Sequence, residues 1–195
     1  MKITDNKNES IKELGRIAER TSLDNNDEIN NVVKTILRDV KRNADEAIKK
    51  YTIRFDGFNP EPIRVSEQEI SSAWEYTNDD LRKALIRAKE RIEKFHKMQI
   101  PRSFSIEGSH GDSVQRRWLP VKRAGLYIPG GRAAYPSTVL MNAIPATVAG
   151  VQEISMVSPA NKNGEINQTV LAAAYLTKIK NVYRIGGAQA IGALA

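Results

Sequence analysis

Two glycine-containing loops are the parts of this sequence best suited to chemistry. One reads Gly125-Leu-Tyr-Ile-Pro-Gly-Gly131 and the other Gly186-Gly-Ala-Gln-Ala-Ile-Gly192. Each follows a short apolar run that reads as a strand. Glycine at such a place lets backbone approach a phosphate, and a helix starting just beyond it offers free N–H groups to an anion. Neither loop has the spacing of the G-x-G-x-x-G dinucleotide fingerprint. A glycine after a strand also serves as a plain tight turn, so on the residues alone both readings stand.

Other chemistries have less to work with. The sequence has two histidines, His96 and His110, and no cysteine, so no H-x-x-x-H pair and no thiolate set can be assembled from it. His96 falls within a helical run and reads as a surface or packing residue. His110 sits in Gly108-Ser-His-Gly-Asp112, whose composition reads as a turn. No G-x-S-x-G marks a nucleophilic serine. The carboxylates are numerous but fall on amphipathic helices, where a solvated face is the simpler account.

The elements that would position these loops form two unlike halves. The first hundred residues read as helices. Ile29, Val32, Val33, Ile36, Leu37 and Val40 have the spacing of one helical face, which resumes at Ala47, Ile48, Tyr51 and Phe55. Asp56-Gly57 breaks the pattern, and Pro60 and Pro62 keep the next stretch extended. Ser66–Glu69 has the form of a capping box, with serine and glutamate each satisfying a free backbone donor. A long helix follows, with Leu81, Ala84, Leu85, Ala88, Ile92 and Phe95 on one side.

Val114–Trp118 and Ala124–Ile128 then read as a strand pair, separated by Leu119-Pro120 and basic residues. Beyond Ser137 the pattern alternates. A helix near Thr138–Ala149 leads to a strand at Glu153–Ser158, and a helix near Gln168–Leu176 leads to a strand at Asn181–Ile185. A final helix opens at Gly186-Gly187 and is cut off at Ala195. Such alternation predicts a parallel sheet with crossover helices. The fold class expected is α/β: a helical amino-terminal segment followed by the start of a Rossmann-like parallel sheet. The division expected is 1–125 for the helical segment with the strand pair, and 126–195 for the beginning of the cofactor-binding domain.

Composition excludes several classes. Hydrophobic residues at 41% and charged residues at 27% argue for a packed globular chain rather than disorder. No apolar run approaches the ~20 residues of a membrane span, and a chain without cysteine fits a cytoplasmic setting. The formal net charge of +7 raises the question of nucleic acid. The basic residues are interleaved with acidic ones along helices, and the densest cluster is Arg116, Arg117, Lys122 and Arg123. A solvated basic face explains this better than a nucleic-acid site.

Longer motifs say more. The runs VKRAGLYIPGGRAAYPSTVLMNAIPATVAGV (121–151) and NVYRIGGAQAIGALA (181–195) closely resemble histidinol dehydrogenase. ILRDVKRNADEAIKKYTIRFDGF (36–58) and RIEKFHKMQ (91–99) resemble the helices that precede those motifs in the same family. The resemblance implies NAD- and zinc-dependent oxidation of L-histidinol to L-histidine, through an aldehyde-level intermediate and two successive NAD⁺. It also implies a cytoplasmic homodimer, and Rossmann-like domains that lack the usual glycine fingerprint. It assigns cofactor contacts to Tyr127 and Gln189. The rival roles are a strand-end core aromatic for Tyr127 and a capping group of its own helix for Gln189.

The family's zinc ligands, its histidine and glutamate pair and its substrate-contacting serine all lie downstream of the GGAQA motif. No catalytic or metal-binding residue is therefore expected in this chain. By itself it should be catalytically silent and, with an interrupted sheet, poorly stable. Gly192 stands where alanine is common in the family. The alternative from another class is a shortened, non-catalytic module that binds a nucleotide or dimerises.

Overall fold

A computed structural model describes residues 6–21, 27–130 and 134–195 of the chain. The helical half contains α1 (Lys7–Thr21), α2 (Asp27–Asp56), α3 (Glu67–Glu75) and α4 (Asp79–Lys97). α1 carries the apolar residues Ile11, Leu14 and Ile17, all exposed, and the sequence reading did not single it out.

α2 is interrupted at Ala44, whose φ of 44° and ψ of −123° are not helical. Its two halves fold back on one another. Tyr51 donates its hydroxyl to Asp39 Oδ2 at 2.9 Å, and Lys50 reaches the same oxygen at 2.7 Å. At 1.5 Å per residue, a straight helix would hold these residues roughly 17 Å apart. The Lys50 bond, with those from Asn43 and Tyr51, holds the Asp39 carboxyl down at about 2.

The capping box forms only in part. Ser66 Oγ accepts from the Glu69 amide at 3.1 Å, but the Glu69 carboxylate does not turn back to its own helix. It accepts from Arg184 Nη2 at 2.6 Å, because a half-buried guanidinium from the far end of the chain is the stronger partner.

The expected pairing of Val114–Trp118 with Ala124–Ile128 is not what forms. β1 (Phe104–Glu107) and β2 (Ser113–Arg116) make an antiparallel ribbon, with Phe104 opposite Arg116 and Ile106 opposite Val114. The turn at Gly108–Asp112 closes this nearer hairpin through Gly108 N–H to Asp112 O at 2.7 Å. β3 (Arg123–Tyr127) joins a different sheet. Its run of small and apolar residues suits a strand covered on both faces.

That sheet is β3–β4–β5, with β4 at Glu153–Val157 and β5 at Asn181–Tyr183, all parallel. α5 (Pro136–Val148) and α6 (Gln168–Leu176) make the crossovers, and α7 (Gly187–Leu194) follows β5. Side chains alternate as a pleat requires. Leu126, Met156 and Val182 face a core built with α3, α4, α5 and α6. Tyr127, Val157 and Tyr183 face the opposite layer, made by α2 and α7.

The extended stretch after Pro62 lies antiparallel along the free edge of β5. Val65 N–H donates to Val182 O, and Arg184 N–H to Ile63 O, each at 2.9 Å. Among the described residues, no helix is long and apolar enough to cross a membrane.

Candidate functional site

A groove of about 1330 Å³ opens at the carboxyl ends of β3 and β4. Its floor is the chain leaving those strands, Tyr127–Gly130 and Ser158–Asn161, and its walls come from α3, the end of α2 and the segment leading into α6. The strand ladder holds this floor in place: Ile128 N–H donates to Val157 O at 2.9 Å, and Ser158 N–H to Tyr183 O at 3.1 Å.

The two glycine loops meet here across Pro159. A Cβ on Gly130 would lie 2.9 Å from the Pro159 carbonyl oxygen, and one on Gly186 would lie 2.4 Å from its Cγ. Only glycine allows that approach. Gly187 has a φ of +64°, and its N–H donates to the Tyr127 hydroxyl at 3.1 Å. Gly131, Arg132 and Ala133 of the first loop lie outside the described residues.

Tyr127 ends β3 and lines the groove. It is half-buried, packing against the α2–α7 layer while its hydroxyl ties the first loop to the second. Gln189 lies in the first turn of α7 and is 1% exposed. Neither its Nε2 nor its Oε1 has a hydrogen-bond partner. No side chain caps α7, so the capping role is not the one this amide performs. It lies against Gly187, where a Cβ would come within 2.7 Å of its oxygen. An enclosed amide without partners costs about 1–3 kcal/mol.

Asp56 was not found by sequence reasoning, which took Asp56-Gly57 as a helix break. It lines the groove, its Oδ2 is enclosed without a partner, and burial pushes its carboxyl above the ordinary value. Glu69 also lines the groove, already paired with Arg184. Nothing in the local sequence signals either placement, because both depend on segments far apart in the chain.

The histidines sit elsewhere. His96 lies on α4 with its ring edge-on to Phe95 at 5.3 Å. His110 lies in the β1–β2 turn, 2.9 Å from Ser109 Oγ. Among the described residues, no three His, Cys, Asp or Glu side chains come together as a metal set, so the residues present do not fit zinc. The basic cluster is split between elements. Arg116 ends β2 and stacks over Trp118 at 4.7 Å, whereas Arg123 begins β3, at the end of the sheet opposite the groove.

The nucleotide chemistry fits better. Close-approach glycines, the amino terminus of α7, a flat ring and an unengaged amide converge on one end of a parallel sheet, where such sheets bind ligands.

The chain is similar to known proteins. A family model described as histidinol dehydrogenase matches residues 19–195. A histidinol dehydrogenase of Prochlorococcus marinus is 62% identical over 195 residues, covering 100% of this chain and 44% of that protein. One of Thermosynechococcus vestitus is 47% identical over 185 residues, covering 94% and 43%. The crystal structure of histidinol dehydrogenase from Elizabethkingia anophelis superposes with a TM-score of 0.80 at 42% identity, covering 85% of this chain and 38% of that one. The chain thus spans less than half the length of the curated relatives it matches.

Proposed function

The chain belongs to the histidinol dehydrogenase family, and from that premise we propose that it is the cofactor side of an enzyme that oxidises L-histidinol to L-histidine with NAD⁺. The observation that carries this reading is Gln189, enclosed and unpartnered against the Gly187 turn that Tyr127 holds. NAD⁺, when bound, supplies the hydride acceptor.

The chain's own residues bind and orient it. Tyr127 presents a flat face to the groove and fixes the second glycine loop through its hydroxyl. The Gln189 amide can both donate to and accept from ribose or phosphate oxygens. The start of α7 offers N–H groups to the pyrophosphate. Residues 126–195 form the beginning of the cofactor-binding domain, and residues 1–125 support it.

The acid–base groups and the zinc ligands belong to the part of the family's length that this chain does not span, and no zinc-dependent step is assigned to residues here. The whole protein is read as a cytoplasmic homodimer of histidine biosynthesis acting on a small molecule. Its basic residues, dispersed over separate elements, give no reason to add nucleic acid.

Calorimetric titration with NAD⁺ tests the assignment. Gln189→Leu and Tyr127→Ala should each weaken binding roughly tenfold or more, the loss expected for one or two hydrogen bonds or a stacked ring. Affinities equal to that of the unaltered chain in both variants would remove the basis for placing the cofactor here.

A further inference from the structure

The groove holds three carboxylates, and two are already engaged. Glu69 accepts from Arg184 Nη2 at 2.6 Å, and Glu165 accepts from Asn161 Nδ2 at 3.1 Å. Asp56 lines the same groove, yet its Oδ2 is enclosed by protein and has no partner.

Its location adds to the difficulty. Asp56 is the last residue of α2, where the negative end of the helix dipole opposes a carboxylate. Burial pushes its carboxyl up, the response of an acid without a compensating donor. The fold does not need an acid there, because the helix closes through Gly57 N–H to Thr52 O at 3.2 Å. A carboxylate in that place, on the wall of a ligand-sized groove, is positioned to take donors from a ligand.

The chemistry of those donors is restricted. An ionised carboxylate only accepts hydrogen bonds and repels anions. Neutral hydroxyls satisfy it, and a vicinal diol offers two to one side chain. Phe55 and Tyr76 line the same groove with exposed rings, flat apolar faces on which a base can lie. In sheets with the standard glycine fingerprint, an acid about 20 residues beyond the glycines takes the ribose 2′-hydroxyl. Asp56 instead comes from the helical half, ahead of the sheet in sequence.

We propose that Asp56 accepts the ribose hydroxyls on the adenosine side of NAD⁺ and, by its charge, excludes a cofactor phosphorylated at the 2′ position. This rests on the cofactor-side reading above and gives a role to a residue to which the resemblance assigned none.

The test is calorimetric titration of the unaltered chain, Asp56→Ala and Asp56→Asn with NAD⁺, NADP⁺, ADP-ribose and 2′-phospho-ADP-ribose. The unaltered chain should bind each 2′-phosphorylated ligand at least about tenfold more weakly than its counterpart. Asp56→Ala should weaken NAD⁺ and ADP-ribose by about tenfold, the loss of a charge-assisted bond. Asp56→Asn keeps an acceptor oxygen without the charge, so it should narrow the gap between the two ligand series.

Unchanged affinities and an unchanged gap in both variants would overturn the role of Asp56 and leave the cofactor site standing. If the unaltered chain binds none of the four ligands, the cofactor reading falls and this proposal falls with it. Thermal melting gives a second readout. Asp56→Ala should melt at the same temperature or higher, and a drop of several degrees would reveal a structural partner and overturn the proposal.

Discussion

Gln189 and Arg184 are both buried or half-buried polar side chains near one end of the sheet. Arg184 has its Nη1 and Nη2 engaged and only its Nε without a partner, whereas both polar atoms of Gln189 lack one. Arg184 donates to Gly164 O at 2.8 Å and to Glu69 at 2.6 Å, so its charge is neutralised inside the fold. Gln189 receives nothing. That difference makes a prediction about stability. Gln189→Met, similar in volume and free of orphaned amide atoms, should stabilise the chain by about 1 kcal/mol, read as a higher urea midpoint. The same variant should lose NAD⁺ affinity, the usual opposition between stability and a working site. A lower midpoint would show that the amide has a partner within the fold. Tyr127 and Gln189 could be singled out as candidates in the sequence because long motifs carry them. Asp56 and Glu69 were not, since the groove they share with Tyr127 is assembled by segments distant in sequence, and no local pattern records it.

The elements were legible where periodicity and burial agree. α6 spans Gln168–Leu176 as its apolar run predicts, and its middle residues are fully enclosed. β4 and the helices flanking it fall where the alternation places them. The strand pair was misread because two short runs with a brief linker look like a hairpin, and the competing turn at Gly108–Asp112 lies beside a strand with little apolar signal of its own. β1 is exposed along its whole length.

The reversal of α2 was hidden for a different reason. The break falls on an alanine, the residue that most favours helix, and it interrupts the apolar face without any Gly or Pro to announce it. Ala44 sits at positive φ, where a Cβ is strained and glycine is not. Ala44→Gly should therefore stabilise the fold by about 1 kcal/mol, although glycine in a helix interior ordinarily does the opposite. Chemical denaturation measures it. A loss of about 1 kcal/mol instead would mean that residue 44 is helical and α2 is not a hairpin.

At the scale of the molecule, α2 and α7 cover one face of a three-stranded parallel sheet, α3–α6 cover the other, and the groove lies at the strands' carboxyl ends. The groove is lined by Gly130, the Tyr127 ring and the Asp56 carboxylate, with the Gly186-Gly187 turn tied to it through Tyr127 and Pro159; on the proposed reading these groups hold a nucleotide. They are poorly suited to oxidising an alcohol, which needs a base at the hydroxyl and a charge to steady the developing alkoxide. The histidines lie on α4 and in the ribbon turn, Glu69 and Glu165 are engaged, and no metal set exists among the described residues. Binding and turnover should therefore separate. The 21.8 kDa chain, given NAD⁺, Zn²⁺ and L-histidinol, should produce NADH no faster than buffer. NAD⁺ should nevertheless raise its melting temperature, since a ligand at 100 times its Kd stabilises the folded state by about 2.7 kcal/mol. Fusion of the remaining family length should restore turnover without a large change in NAD⁺ affinity. NADH formation by the 21.8 kDa species alone would place a working base and electrophile within these residues, and the division between a cofactor side and a reacting side would have to be abandoned.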